Sequence, residues 1–140
     1  FAQGDNHPVV CVSHADAVAY AEWLGGRTGN RYRLPRRSEW VLIAGYSGNA
    51  DACLNGHIDC ASRGTIPARQ GPTSPLGIYG AQGNVREWLN DCDGGCGRRM
   101  AAGLGWRDGA RNADPIRASG LDANTGFDDV GIRLVRVVGK

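Results

Sequence analysis

Glycine is the residue that most constrains the fold of this chain, because 22 of its 140 residues are glycine and they are spread along the whole sequence. Glycine destabilises the interior of helices and strands and suits tight turns, since it has the most conformational freedom to lose. The sequence therefore predicts short regular elements joined by many turns and irregular loops. A chain of this length is expected to form one domain with its own hydrophobic core.

The charge pattern limits the kinds of molecule that this chain is expected to bind. The formal net charge is +2, and acidic and basic residues are interspersed rather than gathered into runs. This distribution gives no support to a nucleic-acid-binding protein. No apolar run approaches the length of a membrane span. We therefore expect neither nucleic-acid binding nor membrane insertion.

Two early segments carry helical signals. Ser13 and Asp16 have the spacing of a capping box, and the helix that they start is expected to end at Gly25-Gly26, where glycine suits a left-handed cap. A second helix is expected from Pro35 at its entry through about Ala44.

The rest of the chain has few strand signals. The segment Arg31–Leu34 is expected to be a short strand or an extended connector, and Gly131–Val138 alternates in the way typical of a strand. The stretch from Arg107 to Gly131 combines both charge signs with little apolar content, which indicates a solvent-exposed irregular loop. Two helices followed by loop-rich sequence predict an α+β fold.

The five cysteines form two close pairs and one single residue. Cys53/Cys60 and Cys92/Cys96 each span a loop that contains glycine and aspartate, and a disulfide in each loop would stabilise irregular structure. A zinc site is the alternative, although neither pair has the two-residue spacing of a zinc knuckle. Disulfides would indicate an extracytoplasmic protein, which is either periplasmic, secreted or at the cell surface. Cys11 lies in an apolar run and is expected to be buried.

Five segments, in order along the chain, resemble the formylglycine-generating-enzyme (sulfatase-modifying-factor) family. They are His7–Ser13 with the helix that follows, Tyr32–Pro35 with Glu39-Trp40, Gly77–Gly80, Gly83–Trp88 and Gly131–Leu134. Each motif is weak alone, but their order and spacing are specific together. The resemblance implies a C-type-lectin-like fold with two helices, a small twisted antiparallel sheet and extensive loops.

The resemblance also implies how the chain is organised. Residues 1–140 are expected to form one domain and to be a C-terminal portion of a longer protein, since family members carry more sequence before the motif at His7. An N-terminal segment of its own precursor is therefore one expected partner. Trp23, Trp40 and Trp88 fall in core motifs of the family and are expected to be buried, and Trp106 is expected to lie in the core or to serve as a ligand platform.

Catalytic family members oxidise a sulfatase cysteine with copper held by two cysteines that follow a Gly-Gly-Ser-aromatic motif. The matching segment here is Gly103–Trp106, and no cysteine follows it up to Lys140. The resemblance therefore predicts no copper and no catalytic residue. A divergent copper-dependent oxidase acting on a sulfatase cysteine is the alternative. A related branch uses iron held by histidines, but His7, His14 and His57 lack such spacing and are expected at the surface.

The resemblance further implies a structural calcium ion. Family members bind calcium with a Gly-Asn-x-x-Glu-Trp segment, and the matching ligands here are Asn84, Glu87 and the carbonyl of Val85. Calcium prefers several oxygen ligands and accepts backbone carbonyls. The alternative is that Asn84 and Glu87 only hydrogen-bond a buried turn that anchors Trp88.

The expected function is binding rather than catalysis. Proteins of this fold place their binding surface in the C-terminal third, and family members occur fused to bacterial serine/threonine kinases. The stretch from Arg107 to Gly131 lacks Lys, Glu, Gln, Met and Trp, as in hypervariable proteins diversified by retroelements. We predict a bacterial sensor or display module for an unidentified protein or small-molecule ligand. The candidate ligand-binding residues are Arg86, Trp106, Arg107, Asp108, Arg111, Asn112, Arg117, Asp122, Asn124 and Phe127.

Overall fold

Two helices and six short strands make up the regular structure of the computed structural model, which describes residues 3–45, 64–70, 73–108 and 117–139. In chain order they are α1 (His14–Thr28), β1 (Arg31–Arg33), α2 (Arg37–Ala44), β2 (Arg86–Asp93), β3 (Gly95–Ala102), β4 (Ala118–Asp122), β5 (Val130–Gly131) and β6 (Val135–Val137). The α+β class and the two predicted helices are confirmed.

Helix α1 begins where the sequence predicts and ends later. The Ser13 hydroxyl accepts a hydrogen bond from the Asp16 N–H (3.1 Å), and the Asp16 carboxylate accepts one from the Ser13 N–H (2.9 Å). The predicted end at Gly25-Gly26 was wrong, because the left-handed cap is Gly29, with φ 74°. Gly25 lies inside the helix, where a β-carbon would come within 2.8 Å of the Asn30 carbonyl oxygen.

Helix α2 is held to β1 through Glu39. The Glu39 carboxylate accepts hydrogen bonds from the Arg36 N–H (2.8 Å) and from the two terminal nitrogens of Arg33 (2.7 and 2.8 Å). The Arg33 guanidinium, followed by the Arg36 N–H, lowers the pKa of Glu39 to about 2. The next residue, Trp40, is fully buried, so this network fixes the helix that carries a core tryptophan.

The strands form two sheets. In the four-stranded sheet the order is β4-β3-β2-β5, with β3 antiparallel to both β4 and β2 and β5 parallel to β2. That sheet is therefore mixed, whereas the resemblance implied an antiparallel one. In the second sheet β1 pairs antiparallel with β6, so that Arg31 lies opposite Val137. The predicted strand at Gly131–Val138 is divided between the two sheets as β5 and β6.

The core consists of three packed clusters of buried side chains. Trp88 centres the first cluster, Trp40 the second and Trp106 the third, which confirms the expected burial of Trp40 and Trp88. The first cluster joins α1 to the four-stranded sheet, and its buried members are Ala17, Leu34, Trp88, Ala101 and Val130.

Trp23 and Cys11 are exposed, against the expectation that both would be buried. Trp23 is 57% exposed and stacks on Tyr20, with ring centroids 5.7 Å apart. It lies two residues after the buried Ala21, roughly 200° further around the helix, and therefore faces away from the core. Cys11 is a free, exposed cysteine whose φ of 60° is in the left-handed region. Cys11 is therefore exposed even though its neighbours in the sequence are apolar.

His14 is buried, although a surface position was expected. Its side chain is 4% exposed and its Nε2 lies 2.8 Å from the carbonyl oxygen of Leu89. Burial lowers the pKa of His14, and the nearby charge of Arg99 lowers it further. The imidazole is therefore an uncharged donor that ties the start of α1 to β2.

The predicted exposed loop from Arg107 to Gly131 contains a strand. β4 pairs with β3 along its whole length, from Ala118 to Asp122, so the prediction of an irregular loop was wrong for that segment. One predicted disulfide, Cys92–Cys96, is confirmed and joins β2 to β3, with the two α-carbons 4.8 Å apart. The predicted Cys53–Cys60 pair lies outside the described residues.

Candidate functional site

Arg86, Trp106, Arg107, Asp108 and Arg117 meet on one surface, which we call the Trp106 surface. They come from β2, from the segment after β3 and from the residue before β4. All five are ligand-binding candidates from the sequence, and the structure brings them together.

Trp106 forms the floor of this surface. It is 4% exposed, its Nε1 donates a hydrogen bond to the carbonyl oxygen of Asp128 (2.9 Å), and its backbone N–H donates one to the carbonyl oxygen of Asn84 (2.8 Å). The guanidinium of Arg107 lies over the indole, with its central carbon 4.3 Å from the ring centroid. A ligand on this surface would therefore meet Arg107 before it met the tryptophan.

Arg107 is held from two sides. Its Nε donates to Asp128 Oδ1 (2.8 Å) and its Nη2 donates to Asp128 Oδ2, which is a bidentate pair. The bonds to Asp128 raise the pKa of Arg107, and the same bonds lower the pKa of Asp128. The guanidinium is thus stacked on a ring and pinned by a carboxylate, while the side chain remains 55% exposed.

Two further arginine–carboxylate pairs flank it. Arg86 Nη2 donates to both oxygens of Asp129 (3.1 and 3.0 Å), and this pair is largely buried. Arg117 Nη2 donates to Asp108 Oδ1 (3.0 Å), while Asp108 Oδ2 accepts the Gly105 N–H (2.7 Å). Each arginine proposed from the sequence and described by the structure on this surface therefore has an acidic partner.

Asp128 and Asp129 supply two of these three partners and were not predicted from the sequence. The available signal was the pair of adjacent carboxylates just before Val130, which precedes the motif Gly131–Leu134. Gly105 allows the close approach, because a β-carbon there would lie 3.0 Å from the Asp129 carbonyl oxygen.

Three other proposed ligand residues lie elsewhere. The Asp122 carboxylate accepts the Asn124 N–H (2.8 Å) in the turn after β4, and Phe127 packs beside Trp88, with ring centroids 6.3 Å apart. Arg111 and Asn112 lie outside the described residues.

The proposed calcium ligands Asn84, Val85 and Glu87 line one cavity of about 320 Å³. Asn84 has φ 71° and is buried, and its side-chain amide pairs with the backbone of Ile66 in both directions, each at 3.0 Å. The amide oxygen is therefore already engaged. This pairing joins the turn before β2 to the segment at 64–67.

The Glu87 carboxylate is engaged as well. It is 2% exposed and accepts hydrogen bonds from Trp40 Nε1 (2.8 Å), Arg133 Nε (3.0 Å) and Arg133 Nη2 (2.8 Å). Calcium would need these oxygens as ligands, and they point at N–H donors instead. Within the described ranges, no three His, Cys, Asp or Glu side chains cluster closely enough to hold a metal ion. In this arrangement the residues do not fit a calcium site, and calcium binding stays a prediction.

The comparisons with known proteins agree with the motifs. The family described as the sulfatase-modifying factor enzyme 1-like domain matches residues 1–138. The chain belongs to this family. A formylglycine-generating enzyme from Thermomonospora curvata is 32% identical, with 61% of this chain and 34% of the enzyme covered by the match. This sulfatase-modifying-factor-like domain thus spans about a third of the length of that enzyme.

Solved structures show the same fold. PvdO from Pseudomonas aeruginosa matches with a TM-score of 0.80 at 23% identity, over 99% of this chain and 65% of that one. Treponema denticola variable protein 1 matches with a TM-score of 0.77 at 15% identity, over 92% of this chain and 70% of that one. At these identities the likeness concerns the fold alone, and it confirms the C-type-lectin-like assignment.

The copper pair that the family implies does not fit the described cysteines of this domain. Cys92 and Cys96 are joined to each other, and Cys11 is single, whereas Cu(I) is held by soft thiolates. At the motif that precedes the copper cysteines in active relatives, Gly103 has φ +84°, and a β-carbon there would lie 2.9 Å from the Ala81 carbonyl oxygen. This segment is therefore closely packed against its neighbours.

The disulfide is compatible with an extracellular location. Among the residues that the structure describes, no helix has the length and apolar character needed to cross a membrane.

Proposed function

We propose that this sulfatase-modifying-factor-like domain is a non-catalytic binding module, a sensor or display domain outside the cytoplasm, whose binding surface is the Trp106 surface. The observation that carries the proposal is the arrangement of Arg107 over Trp106 with Asp128 beside it. A binding surface benefits from arginines that are already held in place, because less side-chain entropy is lost when a partner binds.

The chemistry of the surface suits a polar protein or peptide partner. Arginine and tryptophan are enriched among the residues that dominate binding energy at interfaces. The planar guanidinium of Arg107 keeps one face on the indole and offers N–H groups at its exposed side to carboxylates and carbonyls. Arg117 is also exposed and is paired with Asp108, so a partner with alternating donors and acceptors would complement both arginines.

The names of the similar proteins point to more than one function. One of them is named a variable protein, and a relative at 32% identity is a formylglycine-generating enzyme. The second candidate function is therefore a divergent copper-dependent oxidase acting on a sulfatase cysteine. The bridged Cys92–Cys96 pair weighs against it, because neither sulfur is a thiolate in that state.

A peptide-display selection on the immobilised domain tests the proposal. Peptides enriched on the wild type are expected to lose affinity by about tenfold or more with Arg107→Ala. The matched control is Arg98→Ala, since Arg98 is an exposed arginine paired with Asp93 away from the Trp106 surface. The selection is run both with calcium chloride and with EDTA, so that a calcium requirement is detected.

Two results would overturn the proposal. The first is a selection that yields no peptide sensitive to Arg107→Ala. The second is copper binding with oxygen uptake on a Cys-x-Pro-x-Arg peptide, which would establish the oxidase.

A further inference from the structure

Arg99 lies on the core side of the four-stranded sheet. Successive side chains of a strand point to opposite faces, and Ala101, two residues later in β3, belongs to the buried cluster around Trp88. Leu121, which lies opposite Arg99 in β4, packs against the same cluster. An apolar side chain at position 99 would therefore continue the packing between the sheet and α1.

The guanidinium of Arg99 has no acidic partner among the described residues. Its Nη1 donates to the carbonyl oxygen of Asn90 (2.7 Å), and its Nε is buried without a hydrogen-bond partner. A partly buried cation with no counter-charge is unfavourable for the folded state. The bond to Asn90 offsets only part of that cost, which suggests that the arginine serves a bound group.

A cavity of about 490 Å³ opens in front of this side chain, and we call it the Arg99 cavity. Its size is within the range of small-molecule sites. One wall is the face of α1 that carries His14, Val18 and Glu22, and Asn124 after β4 contributes another. The lining thus combines one cation, one carboxylate, amides and apolar surface.

The two ionisable groups of α1 differ in what they offer a ligand. His14 donates to Leu89 within the protein, and burial lowers its pKa, so it brings no positive charge near neutral pH. Glu22 is exposed and is not in ion-pair contact with Arg99 among the described residues. A negative group is therefore attracted to the Arg99 end of the cavity, and a positive group to the Glu22 end.

We propose that the Arg99 cavity binds a ligand carboxylate, held by the guanidinium of Arg99, with the apolar part of the ligand against Val18 of α1. The ligand is either a free α-amino acid, whose ammonium group would face Glu22, or the C-terminal residue of a peptide. Arginine suits this role because its planar fork matches the two oxygens of a carboxylate. The cavity shares no residue with the Trp106 surface, so the inference goes beyond the proposed function.

Titration of the isotope-labelled domain, followed by amide shifts in NMR spectra, tests this site with three probes. Leucine carries both charges, N-acetyl-leucine carries only the carboxylate and resembles a peptide C-terminus, and leucinamide carries only the ammonium group. We expect saturable shifts around the cavity with leucine or N-acetyl-leucine and none with leucinamide. Tighter leucine binding would identify a free amino acid, and tighter N-acetyl-leucine binding would identify a peptide C-terminus.

Two variants decide the role of the arginine. Arg99→Met keeps the length of the side chain without its charge and is expected to weaken carboxylate binding by about tenfold. Arg98→Met is the matched control on the opposite face of β3, and it should leave affinity within about twofold, because its side chain is exposed. Saturable binding of leucinamide, no saturable binding of either carboxylate, or unchanged binding in Arg99→Met would overturn the proposal.

Glu22→Gln keeps the test decisive if Arg99→Met does not fold. Removal of the carboxylate at the rim is expected to strengthen N-acetyl-leucine binding relative to leucine by about twofold or more. An unchanged ratio of the two affinities would contradict the placement of the ligand between Arg99 and Glu22.

Discussion

Arg133 and Arg99 both place a positive charge close to the core, but the groups that they bond to are different. Arg133 donates to the buried Glu87 carboxylate and to the carbonyl oxygen of Tyr79, and Glu87 also accepts from Trp40. Arg99 donates to the carbonyl oxygen of Asn90 and has no carboxylate partner in the described part of the chain.

The difference teaches which of the two arginines the fold itself requires. Glu87 and Arg133 form an ion pair close to the core, so the loss of either residue breaks a pair that is largely shielded from water. The loss of Arg99 would break no ion pair, because Arg99 has no carboxylate partner among the described residues.

Glu87→Gln is expected to lower the free energy of unfolding by about 3 kcal/mol, because it removes the buried carboxylate to which Arg133 Nε and Nη2 donate. Urea unfolding measures the loss. Asp93→Asn is the matched control, since Asp93 and Arg98 form an exposed pair that is worth under about 1 kcal/mol. Equal losses in the two variants would break the comparison, because the Glu87 pair would then be no more important than a surface pair.

Replacement of both Cys92 and Cys96 by serine is expected to lower the free energy of unfolding by about 2 kcal/mol, since the disulfide closes only a short loop. Cys96 lines the Arg99 cavity, so the variant should also have a lower affinity for any ligand that binds there. Thermal unfolding of the variant gives the first effect. Cys11→Ser, at the exposed free cysteine, is the control and should unfold like the wild type.

Arg99→Met is expected to change the free energy of unfolding by less than about 1 kcal/mol, or to raise it, because it replaces an unpaired charge by an apolar side chain on the core side of the sheet. The same substitution at Arg133 leaves Glu87 unpaired and should be clearly destabilising. Urea unfolding of the two variants side by side provides the measurement. A large loss at Arg99 would show that this arginine is structural after all.

Stability is expected to fall as the pH drops below 6.5. Burial holds the pKa of His14 below the 6.5 of an unfolded histidine, so between these values the unfolded chain binds more protons than the folded one. Stability therefore rises with pH in that window, by at most about 1.4 kcal/mol per pH unit for one proton. His14→Gln keeps a donor for Leu89 and should flatten the slope of stability against pH just below 6.5. If the slope persists in His14→Gln and disappears in His7→Gln, then His7 causes the pH dependence and the prediction is wrong.

Local signals predicted the helices well and the placement of single side chains less well. The capping box of Ser13 and Asp16 has a purely local cause, so it could be read from the sequence. The end of α1 could not, because Gly25 and Gly29 both suit a cap, and the close approach of Asn30 to Gly25 is visible only in three dimensions.

The family motifs located the region of the Trp106 surface, but not its acidic half. Arginines and a tryptophan attract attention as ligand groups, whereas Asp128 and Asp129 gain their role only through the turn that brings them to Arg107 and Arg86. Arg99 gave no signal either, because β3 (Gly95–Ala102) has no apolar alternation to show which of its side chains face inward.

The order of strands in the two sheets has a consequence for how quickly this chain reaches its native state. β1 pairs with β6, and β2 pairs with β5, so residues far apart in sequence must meet before either sheet is complete. Such closures lose chain entropy before pairing returns any stability, and domains rich in them fold on the order of milliseconds to seconds. The two helices form through contacts between residues close in sequence. The long-range strand pairs are therefore expected to limit the folding rate.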